Sequence, residues 1–192
     1  SLQALRNMEA NGIVPVVAKA LLDKHPSVRI AAAEAAGDLH LVETAAACRR
    51  SLEIFQDEAS SEVAYALGVN GEWEDADRIL GVAEGMHSMI TRRRCLLGVA
   101  RLFAVERDVY RLLMQPEMER DKSLIQVLTI GNKRSHTAVQ ALEALSNGDE
   151  IKAVRLLSLG KYGDAFTTHP VPESFVVAAC IYRKRIIDRT AR

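Results

Sequence analysis

The chain has 192 residues, 48% of them apolar and 26% charged. That is an ordinary globular composition with room for one continuous core. Its 25 basic and 25 acidic side chains cancel, which argues against a dedicated nucleic-acid binder, since such proteins carry a basic excess; a local basic patch stays open. No stretch reaches about 18 uninterrupted apolar residues, so no membrane span is predicted.

In chain order, residues 2–10 place Leu2, Leu5 and Met8 on one stripe closed by Asn11-Gly12, the pattern of a helix tail. Ile13–Leu22 is predicted as a short helix, too apolar to be solvated on more than a narrow face. Asp23-Lys24-His25-Pro26 is a turn, with Pro26 suited to a first helical turn. Val28, Ala31, Ala32 and Ala35 then fall at i, i+3, i+4 and i+7, which predicts one core-facing stripe. The many alanines favour helix and allow neighbouring axes to approach to the low end of about 8–10 Å. Gly37-Asp38 is predicted to end this helix.

Leu41–Leu52 opens the next unit, with Ala45, Cys48 and Leu52 on one side. Asp57-Glu58 sits at the favourable end of a second helix. Ala59, Val63, Ala66 and Leu67 follow, Gly68 is its predicted stop, and Val69-Asn70-Gly71-Glu72 is a tight turn. Trp73–Ala83, apolar at Ala76, Ile79 and Leu80, pairs with Ser88–Leu102, where Met89, Cys95, Leu96, Val99 and Leu102 can face the core. Val105–Met114 pairs with Ser123–Ile130, and Thr137–Leu145 with Glu150–Leu159; Ser135 is a candidate N-cap. Two prolines in FTTHPVPES interrupt the pattern before a last helix from Glu173 or Ser174, apolar at Phe175, Val176, Ala179, Cys180 and Ile187. That helix reads as a terminal cap with a polar outer face, or as a lead into further chain.

Helix endings recur. Ala36-Gly37, Leu67-Gly68, Ile130-Gly131 and Leu159-Gly160 stand 31, 63 and 29 residues apart, and Val99-Ala100 sits where the long step divides. Five two-helix repeats fit, at approximately 12–37, 41–68, 73–102, 104–131 and 135–160, with an irregular C-terminal cap at 161–192, all within one domain 1–192. A period of that size with two helices per unit predicts an all-α fold, a helical solenoid.

The unit His25-Pro26-Ser27-Val28-Arg29 through Ala32, Ala35, Ala36 and Gly37 resembles the HEAT-repeat (armadillo-like) alpha-solenoid family, in its short bacterial-type repeats. Asp57-Glu58 to Leu67-Gly68 repeats the pattern without the arginine, and Asp149-Glu150-Ile151-Lys152-Ala153 with Leu159-Gly160 repeats it again. The resemblance covers roughly residues 12–160. It implies a right-handed alpha-alpha superhelix of about five repeats plus a terminal helix. It also implies structural roles for Val28, which packs, for Arg29, whose contact with an aspartate laces neighbouring units, and for Gly37, Gly68, Gly131 and Gly160 as repeat markers. Members of the family mostly act as scaffolds for protein partners; a minority act on bilin chromophores or alkylated DNA bases, and no residue set of either kind transfers position by position.

The search for chemistry is mostly negative. No Cys-x-x-Cys, His-x-x-x-His or His-Glu-x-x-His occurs, so neither metal nor cofactor is expected. Cys48, Cys95 and Cys180 are scattered through apolar helical segments and read as buried thiols of a reducing compartment. His25, His40, His87, His136 and His169 fall in turns or near helix ends. The glycines are isolated, with no phosphate loop. Glu72, Glu74, Asp75 and Asp77 gather at a helix start, where they favour the dipole or form a patch for a basic partner.

The basic run is the candidate surface: Arg92, Arg93, Arg94, Arg101, Arg107 and Arg111. It is read either as a binding ridge for phosphate, acidic peptide or headgroups, or as a solvated face paired with Glu106, Asp108 and the acids of the third unit. The run is read as lacking interleaved aromatics, so base stacking is not suggested. By analogy with other solenoids, a second row on the inner face would hold Arg29, Glu34, Glu62, Arg93 and Gln126.

These readings favour a protein–protein interaction or scaffolding module without catalytic activity, acting on a protein partner in a cytoplasmic or cytosol-facing setting. The start, SLQALRNMEANG, is mid-pattern and lacks an initiator Met, so an excised domain with neighbouring domains in a parent protein is expected. The alternatives are a nucleic-acid-binding solenoid using the Arg92–Arg111 cluster, and a lyase or chaperone for a small chromophore with a pocket near Tyr65, Trp73 or Tyr110. A purely structural spacer is the fourth reading.

Overall fold

The computed structural model describes residues 12–116 and 174–191, with the single positions 119, 140, 144 and 147. The described residues form helices and turns, with no strand among them. The expected helix at 2–10, the helices at 123–130, 137–145 and 150–159, Ser135, Gln126, His136, His169, Gly131, Gly160 and the Pro-rich stretch lie outside the described residues. The chain divides into two units, Ser1–Gly98 and Val99–Arg192.

In the first unit, α1 covers residues 12–20. It is less buried than its composition suggests: Val17 and Leu21 are buried, but Val16 is 65% exposed. Helix α2 spans Pro26–Asp38. Pro26 takes the first position, where a missing N–H costs no hydrogen bond. The His25 N–H donates to the Asp23 carboxylate at 2.8 Å and holds the preceding turn.

The buried stripe of α2 is Arg29, Ala32, Ala33 and Ala36. It is rotated by one residue from the predicted stripe, and Val28 is 38% exposed. The reason is that Arg29, not Val28, enters the core. Its Nη1 donates to the Asp23 carbonyl at 2.6 Å, its Nη2 pairs with Asp57, and its guanidinium lies 3.9 Å from the Phe55 ring centroid. Gly37 does not stop α2. The helix runs one residue past it, and the chain reverses at His40, which adopts a left-handed φ of 51°.

A 3₁₀ turn at Val42–Thr44 leads into α3, Ala45–Ile54, which buries Ala45, Cys48, Ser51 and Leu52. Helix α4, Ser60–Asn70, buries Ser60, Ser61, Val63, Ala64, Ala66, Leu67, Gly68 and Asn70. A helix buried around most of its circumference is a central helix, and α4 contacts α2, α3 and α5, the last spanning Ala76–Gly85. The Asp57 carboxylate accepts the Ala59 N–H at 3.0 Å at the start of α4, and the Ser60 hydroxyl accepts the Asp57 N–H at 3.1 Å.

Gly68 lies inside α4 rather than at its end. A side chain there would overlap the backbone of Gly98 in α6, Met89–Leu102. The helix continues to Asn70, whose amide donates to the Ala36 carbonyl at 2.8 Å, so the predicted turn begins at Gly71 instead of Val69. A 3₁₀ turn at Trp73–Asp75 precedes α5, which buries Ala76, Ile79, Leu80 and Ala83. In α6, Cys95 and Leu96 are buried as expected, but Met89 is 51% and Ile90 81% exposed.

In the second unit, α7 spans Glu106–Leu113 and buries Val109, Leu112 and Leu113, with Val105 buried just before it. It contacts α8, Ser174–Thr190. Lys184 Nζ donates to the Phe103 carbonyl at 3.2 Å, and Arg183 lies 3.7 Å from Asp108. Every residue from Val176 to Ile181 is buried. VVAACI is apolar around its whole circumference and buried on every side, whereas Ile187 and Asp188, further along α8, are exposed.

The two described glycines of the repeat markers are expected to respond oppositely to alanine. Gly37→Ala meets nothing within 4 Å and should stabilise by about 0.4–1 kcal/mol through lost unfolded-state entropy. Gly68→Ala should destabilise by about 2 kcal/mol or more, because backbone must move. Asp57→Ala leaves the buried Arg29 guanidinium without its carboxylate and should cost about 3 kcal/mol or more. Urea unfolding of the three variants checks all three signs.

Candidate functional site

The arginines of the basic run have different surroundings. Arg92, Arg93 and Arg94 are half-buried at the start of α6. Arg94 is held twice: its guanidinium pairs with Glu62 at 2.9 Å and stacks 3.5 Å from the Tyr65 ring centroid. It therefore fixes α6 on α4 instead of standing free. In the second unit, Arg101 pairs with Glu106 at 2.6 Å, and Arg111 lies 3.8 Å from Asp108. Glu106 and Asp108 are the partners the sequence suggested; Glu62, on α4, is not. Arg107 is exposed.

The run does contain an aromatic. Tyr110 stands between Arg107 and Arg111 and is 53% exposed, and Met114, one turn on, is 59% exposed. The spacing Arg107, Tyr110, Arg111, Met114 was readable in the sequence as one helix face.

The suggested inner row also divides. Arg29 has no exposed surface and is structural. Glu62 is engaged by Arg94, Glu34 is exposed and Arg93 is half-buried.

The acidic group before α5 is a helix start. Asp75 is 5% exposed and receives Arg49 Nε at 2.7 Å and Nη2 at 2.9 Å. It also accepts the Glu72 N–H at 2.9 Å, half of a capping box. Burial pushes the Asp75 carboxyl up, but the Arg49 and Glu72 hydrogen bonds outweigh it, and the net shift is downward. The same Arg49–Asp75 bond raises the Arg49 pKa.

The three thiols are buried and free. Desolvation pushes each up to about 12, so none is a nucleophile near neutral pH. His25, His40 and His87 all sit in turns or at helix ends. Among the described residues, no group of His, Cys, Asp and Glu could hold a metal ion, and no helix is long and apolar enough to cross a membrane.

The first unit carries a cavity of about 580 Å³ where α3, α4, α5 and α6 end or begin. Its wall includes Leu52, Phe55, Asp57, Arg78, Met86 and His87, and none of Tyr65, Trp73 or Tyr110. Its residues are spread from Leu52 to Thr91, so no local motif announces it. Arg78 is paired with Glu53 at 2.8 Å and Asp57 with Arg29.

Comparison with family models, with curated proteins and with solved structures finds no match.

The Asp75 carboxyl gives a pH test. Its folded pKa lies below the ordinary carboxylate value, about 3.9, so its contribution is present above that value and is lost as pH falls through the folded one. Unfolding free energy should therefore decline below about pH 4. Asp75→Asn should be weaker at neutral pH and decline less on acidification. Urea titrations at neutral and acid pH for both proteins measure the difference.

Proposed function

We propose that the chain is a protein-interaction or scaffolding module, built as a right-handed HEAT-like solenoid of two-helix repeats within one domain, with no catalytic activity of its own. The observation that carries this reading is a ladder of arginine–carboxylate pairs close to one repeat apart. Arg29 reaches Asp57 across 28 residues, Arg49 reaches Asp75 across 26, Arg78 reaches Glu53 across 25, and Arg94 reaches Glu62 across 32.

Each pair joins helices of consecutive repeats: α2 with the start of α4, α3 with the start of α5, α5 with α3, and α6 with α4. The close approach of Gly68 and Gly98 adds a second helix stacked on the next second helix. Stacked repeats of this kind offer long surfaces to partners. Many of the charges that could form a reacting centre are occupied in holding repeats together, which supports a surface function over catalysis. The buried free thiols suit a cytoplasmic or cytosol-facing setting.

Nucleic acid is the alternative occupant, favoured by Arg107 and Arg111 beside Tyr110. It is the weaker reading, because Arg94 and Arg101 are already held by Glu62 and Glu106 and the chain has no net charge.

Two measurements test the proposal. A compact chain of this length has a radius of gyration of about 16 Å; a solenoid should exceed it in small-angle scattering, and a value at or below it would sink the architecture. Anisotropy titrations with single- and double-stranded oligonucleotides should show no tight binding at moderate salt. Strong binding with a steep salt slope would transfer the function to nucleic acid.

A further inference from the structure

The outward face of α7 is the most partner-like surface among the described residues. Arg107, Tyr110, Arg111 and Met114 recur at i, i+3, i+4 and i+7, so they share one stripe. Tyr110 is 53% and Met114 59% exposed, and the Arg111 side chain is 62% exposed. The rotation of α7 is fixed from the other side, where Val105, Val109, Leu112 and Leu113 are all buried. The stripe is therefore held toward solvent by the core.

Its charge is positive. Arg101, Arg111 and Arg183 contact two carboxylates, Glu106 and Asp108, and Arg107 adds a fourth cation. The pairings differ in quality. Arg101 holds Glu106 at 2.6 Å, whereas Arg111 and Arg183 stand 3.8 and 3.7 Å from Asp108. Those two separations exceed hydrogen-bond length, and the Arg111–Asp108 pair, 62% and 45% exposed, is open to solvent screening. An incoming carboxylate can take Arg111 from Asp108 at little cost.

Building on the scaffolding reading, we propose that this stripe docks a short acidic amphipathic helix of a protein partner. Apolar residues of that helix would cover Tyr110 and Met114, and its flanking Asp or Glu side chains would pair with Arg107 and Arg111. The residue types are those enriched at the centres of interfaces, where Tyr, Met and Arg replace Lys and Glu. The stripe runs from Arg107 to Met114, seven helical steps or about 10 Å, which matches two turns of a partner helix read at i, i+3 and i+4. Met114 decides between acidic peptide and nucleic acid: a thioether gains by covering an apolar side chain and nothing from a phosphate.

The test is selection of peptides from a random phage library on the full chain, followed by anisotropy with the selected peptides. Enriched peptides should carry Asp or Glu beside apolar residues at i, i+3 or i+4. Their affinity should fall about tenfold or more for Tyr110→Ala and for the double variant Arg107→Glu/Arg111→Glu. A peptide with its acids changed to Lys should regain affinity for the double variant, which separates lost pairing from lost folding. Selected peptides whose binding ignores both variants would overturn the stripe and leave the scaffolding reading intact. Failure to select any peptide would overturn both. A single-stranded RNA bound by the chain and released by the double variant would replace the peptide with nucleic acid.

Discussion

A guanidinium with no exposed surface organises the first unit. Arg29 sits in the stripe that α2 turns to the core, where an unsatisfied charge would be expelled or would unfold the chain. Three groups meet its two terminal nitrogens and its face, the Asp23 carbonyl, the Asp57 carboxylate and the Phe55 ring, while its buried Nε has no hydrogen-bond partner. Asp23 belongs to the turn before α2; Phe55 and Asp57 belong to the link between α3 and α4. One side chain thus places a turn, a helix and the following link relative to each other.

The same carboxylate has a second task. Asp57 offers one oxygen to Arg29 and the other to the Ala59 N–H at the start of α4. The beginning of α4 is therefore indexed to a residue near the beginning of α2. Its end is indexed too, since Asn70 donates to the Ala36 carbonyl. Arg29 and Ala36 stand seven residues, about two turns, apart on α2, so α4 is fixed against α2 at two levels. Asp75 repeats the device: it accepts the Glu72 N–H at a helix start and receives Arg49 from α3. Capping and cross-repeat pairing by one carboxylate explain why an aspartate suits those positions, where a longer glutamate would miss one of its partners.

The 31-residue recurrence was legible because small residues recur where helices meet, but the physical role of the glycines was not. Gly68 is needed by the neighbouring Gly98 backbone and not by a chain reversal, and Gly37 marks neither. The pattern of apolar residues misplaced the face of α2 by one residue because Arg29 counts as polar in any such pattern, while its satisfaction depends on Phe55 and Asp57, distant in sequence. Cys48, Leu67, Ile79 and Leu80, which carry no such ambiguity, are buried as their spacing predicts. Met89, which the same spacing placed in the core, is 51% exposed. In the basic run, Tyr110 lies one helical turn from Arg107 and next to Arg111, so an aromatic does interrupt the arginines.

The arginines show why a run of like charges does not identify a binding surface. Arg49 and Arg94 meet their carboxylates at 2.7–2.9 Å, and those carboxylates lie on or beside another helix. Short, charge-assisted bonds to a partly buried carboxylate hold each guanidinium in place and leave it less available to a partner. Arg107 and Arg111 differ on both counts: they are solvated, and the nearest carboxylate contact of Arg111 is long and lies on its own helix. Solvated charges can change partner, because little is lost when one screened contact replaces another. Arg94 and Arg107 belong to the same stretch of sequence, yet the first joins two helices and the second is exposed. The distinction is made by a glutamate 32 residues upstream, which is why it emerges only once α6 is packed on α4.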